Sequence, residues 1–210
     1  MNNFPRSAYV HIPFCHRRCF YCDFAVIPLG NKIESLEGYG SKTIKDYLTY
    51  LNKEILSIKH KSPLSTIYIG GGTPSILDPL QIKNLINLFK ENYGIDYGAE
   101  ITMEVDPASF NEDDLYGFIK AGINRFSLGA QSFNNQVLEK AGRRHCTKDV
   151  EKSCVWLKRA HDHGLIKSWS LDLIQNLPSS GLKEWQEDLK QSLKFCPPHI
   201  SIYDLSIENG

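Results

Sequence analysis

Short β-branched or aromatic runs alternate along this chain with longer stretches in which apolar residues return at helical spacing. That alternation is the strongest constraint on its fold. The runs fall at residues 8–12, 66–69, 100–105, 125–128, 169–174 and 199–205, each rich in Ile, Val, Ser or Tyr. They read as buried or half-buried strands. Between them, Ile44, Tyr47, Leu48, Leu51 and Ile55 stripe a first helix, and Ile82, Leu85, Leu88 and Phe89 a second. Leu182, Trp185, Leu189 and Leu193 mark the last, and such faces cover a sheet. Asp78-Pro79, Ser109-Phe110-Asn111 and Thr147 open helices, and Gly94, Gly122 and Gly164 stand where a left-handed closing residue is wanted. Pro197-Pro198 stops the chain before the final strand. The pattern predicts six βα units around a parallel sheet with its helices outside.

No repeat, low-complexity tract or convincing linker divides the 210 residues, so 1–210 is read as one domain. Residues 27–42 hold four glycines or prolines and little periodicity; they are expected to form a long connection, a class of loop that often carries function. Apolar residues make up 41% of the chain and charged residues 23%, the balance of a globular protein and not of a disordered tail or a fibrous rod. Lys+Arg and Asp+Glu are equal at 24 each, which leaves no basic excess for a nucleic-acid partner. No apolar run approaches the ~20 residues of a membrane span. The start MNNFPRSAYVHIPFC lacks the charged-then-apolar order of a signal peptide, and the expected location is the cytoplasm.

Six cysteines are too sparse for a disulfide scaffold, and a clustered set in a reducing compartment points to metal binding or catalysis. Cys15, Cys19 and Cys22 have the spacing C-x3-C-x2-C, directly after the first strand, inside HIPFCHRRCFYCDF. Three thiolates from one tight loop can hold three irons of a 4Fe-4S cluster and leave the fourth open. Arg17 and Arg18 would offset the negative charge, and Phe14, Phe20, Tyr21 and Phe24 would limit solvent. Spacing alone leaves two other readings open: a zinc site completed by His11 or His16, or three unconnected thiols.

With this loop the chain resembles the radical S-adenosylmethionine (SAM) superfamily, whose hallmark is three such cysteines after the first strand of a partial βα barrel. The resemblance implies an α/β fold, a partial (β/α)6 TIM-like barrel with a parallel sheet and outer helices. It also implies that the open iron is bound by the amino and carboxylate groups of SAM, whose reductive cleavage yields a 5′-deoxyadenosyl radical. Tyr68-Ile-Gly70-Gly71-Gly72-Thr73-Pro74-Ser75, after the second strand, matches the second hallmark. Glycines there leave no Cβ between backbone and ligand, and both motifs fall at the C-terminal edge of the sheet, where βα barrels build their sites. AYVHIPFC, YIGGGTPSIL, EITMEVDPASF, AGINRFSLGAQSFNNQVLEKAGRRH and LDLIQNLP narrow the likeness to the coproporphyrinogen III dehydrogenase-like branch. That branch contains oxygen-independent coproporphyrinogen III oxidases and HemW-type heme chaperones.

Matched motif by motif, the resemblance implies that Cys15, Cys19 and Cys22 ligate the cluster, with Tyr9 and Tyr21 beside it. Gly71, Gly72 and Thr73 would line the SAM pocket, and Glu104 would accept hydrogen bonds from SAM. Gln131, Arg143 and Asp172 match positions that contact a second SAM in the oxidases. Carboxylates suit a sulfonium or ammonium, and a guanidinium suits a carboxylate. By their residue types alone, Glu104 could simply pair with a neighbouring arginine, and Arg143 and Arg144 could be a solvated helix end. Asp172 lies among Leu171, Leu173 and Ile174, where an unpaired carboxylate is costly and a partner is expected. His145, His161, His163 and His199 are scattered, and Cys146, Cys154 and Cys196 lack cluster spacing; ordinary surface or core roles are expected for all of them.

The oxidases carry a fourth cysteine two residues after the third, whereas Cys22 is followed here by Asp23 and Phe24. That is the pattern of the chaperones, which are thought to carry heme to respiratory proteins. Heme trafficking is therefore the favoured function, with heme or porphyrin as partner, an electron donor of flavodoxin or ferredoxin type, and heme-recipient proteins. Oxidative decarboxylation of coproporphyrinogen III is the alternative, and a βα-barrel fragment with structural zinc is the reading outside radical chemistry. Two departures stand out. The resemblance implies a further helix after the last strand and a C-terminal domain, neither of which is expected within residues 1–210, so Ile200 and Ile202 are expected to be uncovered here. The family's usual glycine before Leu177-Pro178 is Asn176 here, which is expected to alter the loop beside Asp172.

Overall fold

The computed structural model describes residues 4–30, 39–58 and 62–206. In chain order the elements are β1 (Ser7–Ile12), β2 (Phe14–Cys15), β3 (Ile27–Pro28), α1 (Tyr39–Ser57), β4 (Leu64–Gly71), α2 (Pro79–Asn92), β5 (Ile95–Val105), α3 (Glu112–Ala121), β6 (Arg125–Gln131), α4 (Asn135–Lys140), α5 (Thr147–Asp162), β7 (Ser168–Gln175), α6 (Leu182–Lys194) and β8 (His199–Asp204). Six strands form one sheet in the order β1-β4-β5-β6-β7-β8, every neighbouring pair parallel. Strands thus neighbour each other in chain order, as in a βα barrel, with β1 and β8 left as edges: a partial barrel.

The two sides of this sheet differ in chemistry. On the helix side Val10, Ile12, Ile67, Ile69, Met103, Phe126, Leu128, Trp169, Leu171 and Leu173 are buried in one continuous core. On the other side the alternate positions are Tyr9, His11, Tyr68, Glu104, Ser127, Ser170 and Asp172, because successive side chains on a strand point to opposite faces. Register sets Glu104 opposite Ser127, and Ser127 opposite Ser170, so the polar residues form a band across the sheet.

Local signals explain the helix boundaries. Asp78 and Asn111 cap α2 and α3, each in a reciprocal box with Gln81 or Asp114. Gly94, Gly122 and Gly164 have φ of +80°, +113° and +68°, as a closing left-handed residue requires. α5 begins at Thr147 as expected, with Cys146 as the residue before it.

The long connection expected over 27–42 is corrected at both ends. Ile27 and Pro28 pair in parallel with Phe14 and Cys15, and α1 already begins at Tyr39; residues 31–38 lie outside the described residues. Ile200 packs against the core and is only partly buried, whereas Ile202 is 55% exposed; the expected open face is therefore confined to one of the two. No helix among the described residues is long and apolar enough to cross a membrane.

Candidate functional site

The C-terminal ends of the strands surround a cavity of about 650 Å³. Cys15, Cys19 and Cys22 line it together with Gly71, Gly72, Thr73, Glu104, Gln131, Arg143, Asp172 and Tyr21. Eleven of the twelve residues singled out from sequence therefore meet in one space; Tyr9 is the exception. Tyr9, expected beside the cluster, stacks on Tyr68 with ring centroids 6.1 Å apart and shares a 2.9 Å hydrogen bond with His11 Nδ1. On β1 it stands opposite Tyr68 in register, on the same face of the sheet as the carboxylate band.

The cysteine loop is built by backbone bonds. The Ile27 amide donates to Pro13 O at 2.7 Å and the Leu29 amide to Cys15 O at 2.8 Å, closing the loop at its base. The Cys22 amide donates to Cys19 O at 3.2 Å, and the Phe20 amide reaches Ala141 O at 3.1 Å, tying the loop to the end of α4. Arg18 donates to Cys22 O and Phe24 O at 3.0 and 2.9 Å, so this arginine organises the loop as well as charging it. None of the three cysteines is in a disulfide.

The glycine turn docks directly on this loop. The Gly72 amide donates to Ile12 O and the Thr73 amide to Phe14 O, both at 2.8 Å, and Thr73 Oγ1 donates to Cys15 Sγ at 3.5 Å. A Cβ on Gly72 would stand 2.6 Å from Phe14 O and 2.9 Å from Cys15 Sγ, so no side chain fits. Gly71 has φ +118° and a Cβ there would meet His11 Nδ1 at 2.7 Å. Burial pushes the Cys15 thiol up; the Thr73 hydrogen bond opposes this, while Cys19, Cys22 and Asp106 add to it.

These residues fit a 4Fe-4S cluster better than a single zinc. Among the described residues no three His, Cys, Asp or Glu side chains gather tightly enough to hold one ion, whereas tetrahedral zinc draws its sulfurs in to about 2.3 Å from the metal. His11, one of the two histidines considered as a fourth zinc ligand, has both ring nitrogens engaged, Nδ1 with Tyr9 and Nε2 with Ala25 O at 2.9 Å. The three thiols instead share one cavity wall with hydrogen-bond donors on Cys15 and Cys19, the donor set of a cluster ligand.

Five residues the sequence reading did not single out for the site complete it: Tyr68, Asp106, Ser127, His145 and Ser170. Tyr68 donates to Glu104 Oε1 at 2.8 Å while the Gly71 amide donates to Oε2 at 3.0 Å. Burial holds the Glu104 carboxyl above its usual range, against these two bonds, and Asp172 adds to the rise. Glu104 therefore pairs with a tyrosine and an amide, not with an arginine. Asp172 takes the partner its burial called for: Ser127 donates to it at 2.7 Å and Ser170 at 3.4 Å. Asp106 pairs with Arg143, with His145 Nδ1 3.6 Å away. Burial alone would raise the Asp106 carboxyl, yet the Arg143 charge and then His145 hold it well below the carboxylate range. His145 is buried and donates from Nε2 to Ala130 O at 3.0 Å. Gln131 sits in the left-handed region at φ +68°, at a register shift in β6, with Oε1 buried and unbonded; such strain concentrates at functional sites. Tyr68 lies 36 residues from Glu104, Ser127 45 from Asp172 and Asp106 37 from Arg143, so chain neighbourhood does not pair them, whereas Ser170 and His145 stand two residues from Asp172 and Arg143.

Asn176 resolves the departure before Leu177. Its φ is +62°, so it adopts the conformation a glycine would, as asparagine does more readily than other residues. Its Nδ2 donates to Asp204 Oδ1 at 2.6 Å. The backbone form survives the replacement.

An open parallel sheet with three thiols and a triple-glycine turn meeting at its C-terminal edge defines a protein built to hold an iron–sulfur cluster with a small ligand beside it. Residues 9–190 match the Radical SAM superfamily, and the chain belongs to that family. It is 38% identical to the heme chaperone HemW of Synechocystis, over 97% of this chain and 48% of that protein. It is 34% identical to the heme chaperone HemW of Escherichia coli, over 97% and 51%. The solved structure of coproporphyrinogen III oxidase (HemN) from Escherichia coli, described as a radical SAM enzyme, is similar with a TM-score of 0.79 and 31% identity, covering 95% of this chain and 44% of that one. The chain spans about half the length of the curated relatives it matches.

Proposed function

We propose that residues 1–210 form the radical SAM core domain of a heme-trafficking protein, with Cys15, Cys19 and Cys22 holding a 4Fe-4S cluster and the adjacent turn holding SAM. The observation that carries this reading is the contact of the two motifs across one cavity, where Thr73 Oγ1 donates to Cys15 Sγ and no Cβ fits at Gly72. A cluster bound there supplies a low-potential electron and one open coordination position.

The chain's own residues account for the rest. Gly71, Gly72 and Thr73 leave room for the methionine end of SAM, and Glu104 offers a carboxylate to its cationic groups. Gln131 Oε1 and Asp172 add polar groups farther along the same cavity. Tyr21, largely buried, closes the wall beside Cys19. An electron donor of flavodoxin or ferredoxin type, heme-recipient proteins and a cytoplasmic location belong to the same reading.

The chaperone is favoured over the oxidase because Cys22 is followed by Asp23 and Phe24 and because the HemW relatives share this region. Coproporphyrinogen III oxidation is the second reading, supported by the similarity to HemN. Anaerobic reconstitution tests the shared premise: the wild-type chain is expected to take up iron and sulfide and to change its visible spectrum with SAM. Replacement of Cys15, Cys19 and Cys22 by alanine abolishes both. A colourless protein holding one zinc per chain rejects it. Heme titration beside coproporphyrinogen turnover then separates the branches: saturable heme binding without turnover supports trafficking, and turnover supports the oxidase.

A further inference from the structure

The protein itself engages both terminal nitrogens of the Arg143 guanidinium, while its buried Nε has no hydrogen-bond partner. Nη2 donates to Gly129 O at 3.0 Å, faces His145 Nδ1 at 3.3 Å and pairs with Asp106. Nη1 points the other way, toward Tyr21 Oη at 3.3 Å and Cys19 Sγ at 3.4 Å. The side chain is only 11% exposed, and Asp106 21%. His145 donates from Nε2 to Ala130 O, so in its neutral form Nδ1 is an acceptor for the guanidinium. Both terminal nitrogens are therefore engaged within the protein, and a carboxylate ligand arriving at Arg143 would have to displace Asp106.

An arginine is permanently charged. Placed on a cluster ligand, it favours whichever oxidation state is more negative, and hydrogen bonds to ligand sulfurs move cluster potentials in the same direction. Lys residues do not line the cavity among the described residues; Arg17 and Arg18 direct hydrogen bonds to backbone carbonyls, and Arg144, which also lines it, makes no hydrogen bond to a cysteine sulfur such as the one Arg143 makes to Cys19. Arg143 is the cation aimed at a cluster sulfur among the described residues.

We propose that Asp106 and His145 hold the Arg143 guanidinium on Cys19 so that its charge and N–H raise the reduction potential of the cluster. Arg143 sets the potential and Asp106 is a positioning residue acting through it. This rests on the cluster reading above, and one experiment distinguishes the two. Wild type, Arg143→Gln, Arg143→Lys and Asp106→Asn are reconstituted anaerobically, iron and sulfide are counted, and the one-electron midpoint is measured by EPR-monitored titration with dithionite.

Arg143→Gln is expected to shift the midpoint negative, the reduced-to-oxidised ratio at the wild-type midpoint falling about tenfold, which is 59 mV for one electron. Arg143→Lys keeps the charge but not the planar fork and shifts the same way by less. It also carries the test should Arg143→Gln take up no iron. Asp106→Asn discriminates by sign. A negative shift means the guanidinium has left Cys19, as positioning requires. A positive shift means Arg143 stays in place without its anchor and the carboxylate merely opposed it, which overturns the positioning role. Unmoved potentials in both Arg143 variants, with full iron content, overturn the inference and leave the cluster standing. A wild-type chain without iron and sulfide removes both.

Discussion

The Tyr68 hydroxyl donates to Glu104 Oε1 at 2.8 Å, binding a residue of the triple-glycine strand to the carboxylate of the next strand. The Gly71 amide takes the other oxygen, so the turn expected to hold SAM is itself shaped by Glu104. A buried carboxylate keeps its charge only through such donors. Removing the hydroxyl in Tyr68→Phe is expected to destabilise the apo-protein by about 1–2 kcal/mol, as loss of a hydrogen bond to a charged group does. The sign with pH follows from the raised Glu104 carboxyl: ionisation is already disfavoured in the fold, and losing a donor disfavours it further. The difference from wild type is therefore present at neutral pH and shrinks as pH falls through the Glu104 pKa. Urea denaturation at several pH values reads it; a pH-independent difference rejects this account.

Asp106 works with the opposite sign. Its carboxyl is held below the aspartate range, Arg143 outweighing burial, so it contributes stability above the unfolded value that is lost on acidification through the folded one. Asp106→Asn leaves a largely buried guanidinium without its counterion and is expected to cost about 3 kcal/mol at pH 7, in the range for breaking a buried pair. The difference narrows below about pH 4, near the ordinary aspartate pKa. Equal thermal midpoints of the two proteins at pH 7 would contradict the pairing.

Gly72 separates fold from site. A Cβ there meets Phe14 O at 2.6 Å and Cys15 Sγ at 2.9 Å, a backbone atom and a cluster ligand. Gly72→Ala is expected to keep the far-ultraviolet circular dichroism of wild type while iron uptake on reconstitution falls severalfold. Wild-type iron content in this variant would show that the turn and loop separate without consequence.

Asn176 carries a conformational test. At φ +62° with a bond to Asp204, Asn176→Ala is expected to cost about 1–2 kcal/mol, since the left-handed region is unfavourable for a residue with a Cβ. Asn176→Gly trades the hydrogen bond for conformational freedom and stays within about 0.5 kcal/mol of wild type. Denaturation midpoints rank the three; an alanine variant as stable as glycine would show that the segment has another conformation available.

The sequence by itself determined the six parallel strands, most helix ends and the two motifs that meet in the cavity, because each is written in neighbouring residues. Alternating β-branched runs, the caps at Asp78 and Asn111, the closing glycines and the cysteine spacing all act over a few positions. Strand ends were less legible: β4 runs over Leu64–Gly71 and β5 over Ile95–Val105, well past their apolar centres, because ladder hydrogen bonds extend a strand through polar and glycine residues that have no propensity for it. The β2–β3 pair escaped notice for the same reason, since two residues on each side carry no period.

Only the tertiary structure decided which polar groups serve the site. Arg143 lies 124 residues from Cys19 and 37 from Asp106, and Tyr68 lies 36 from Glu104. Those meetings come from sheet register and from the order in which the strands close the partial barrel. A side chain's own type cannot announce them: an arginine two residues before a histidine reads as a solvated helix end until the sheet folds a buried aspartate and a thiol against it.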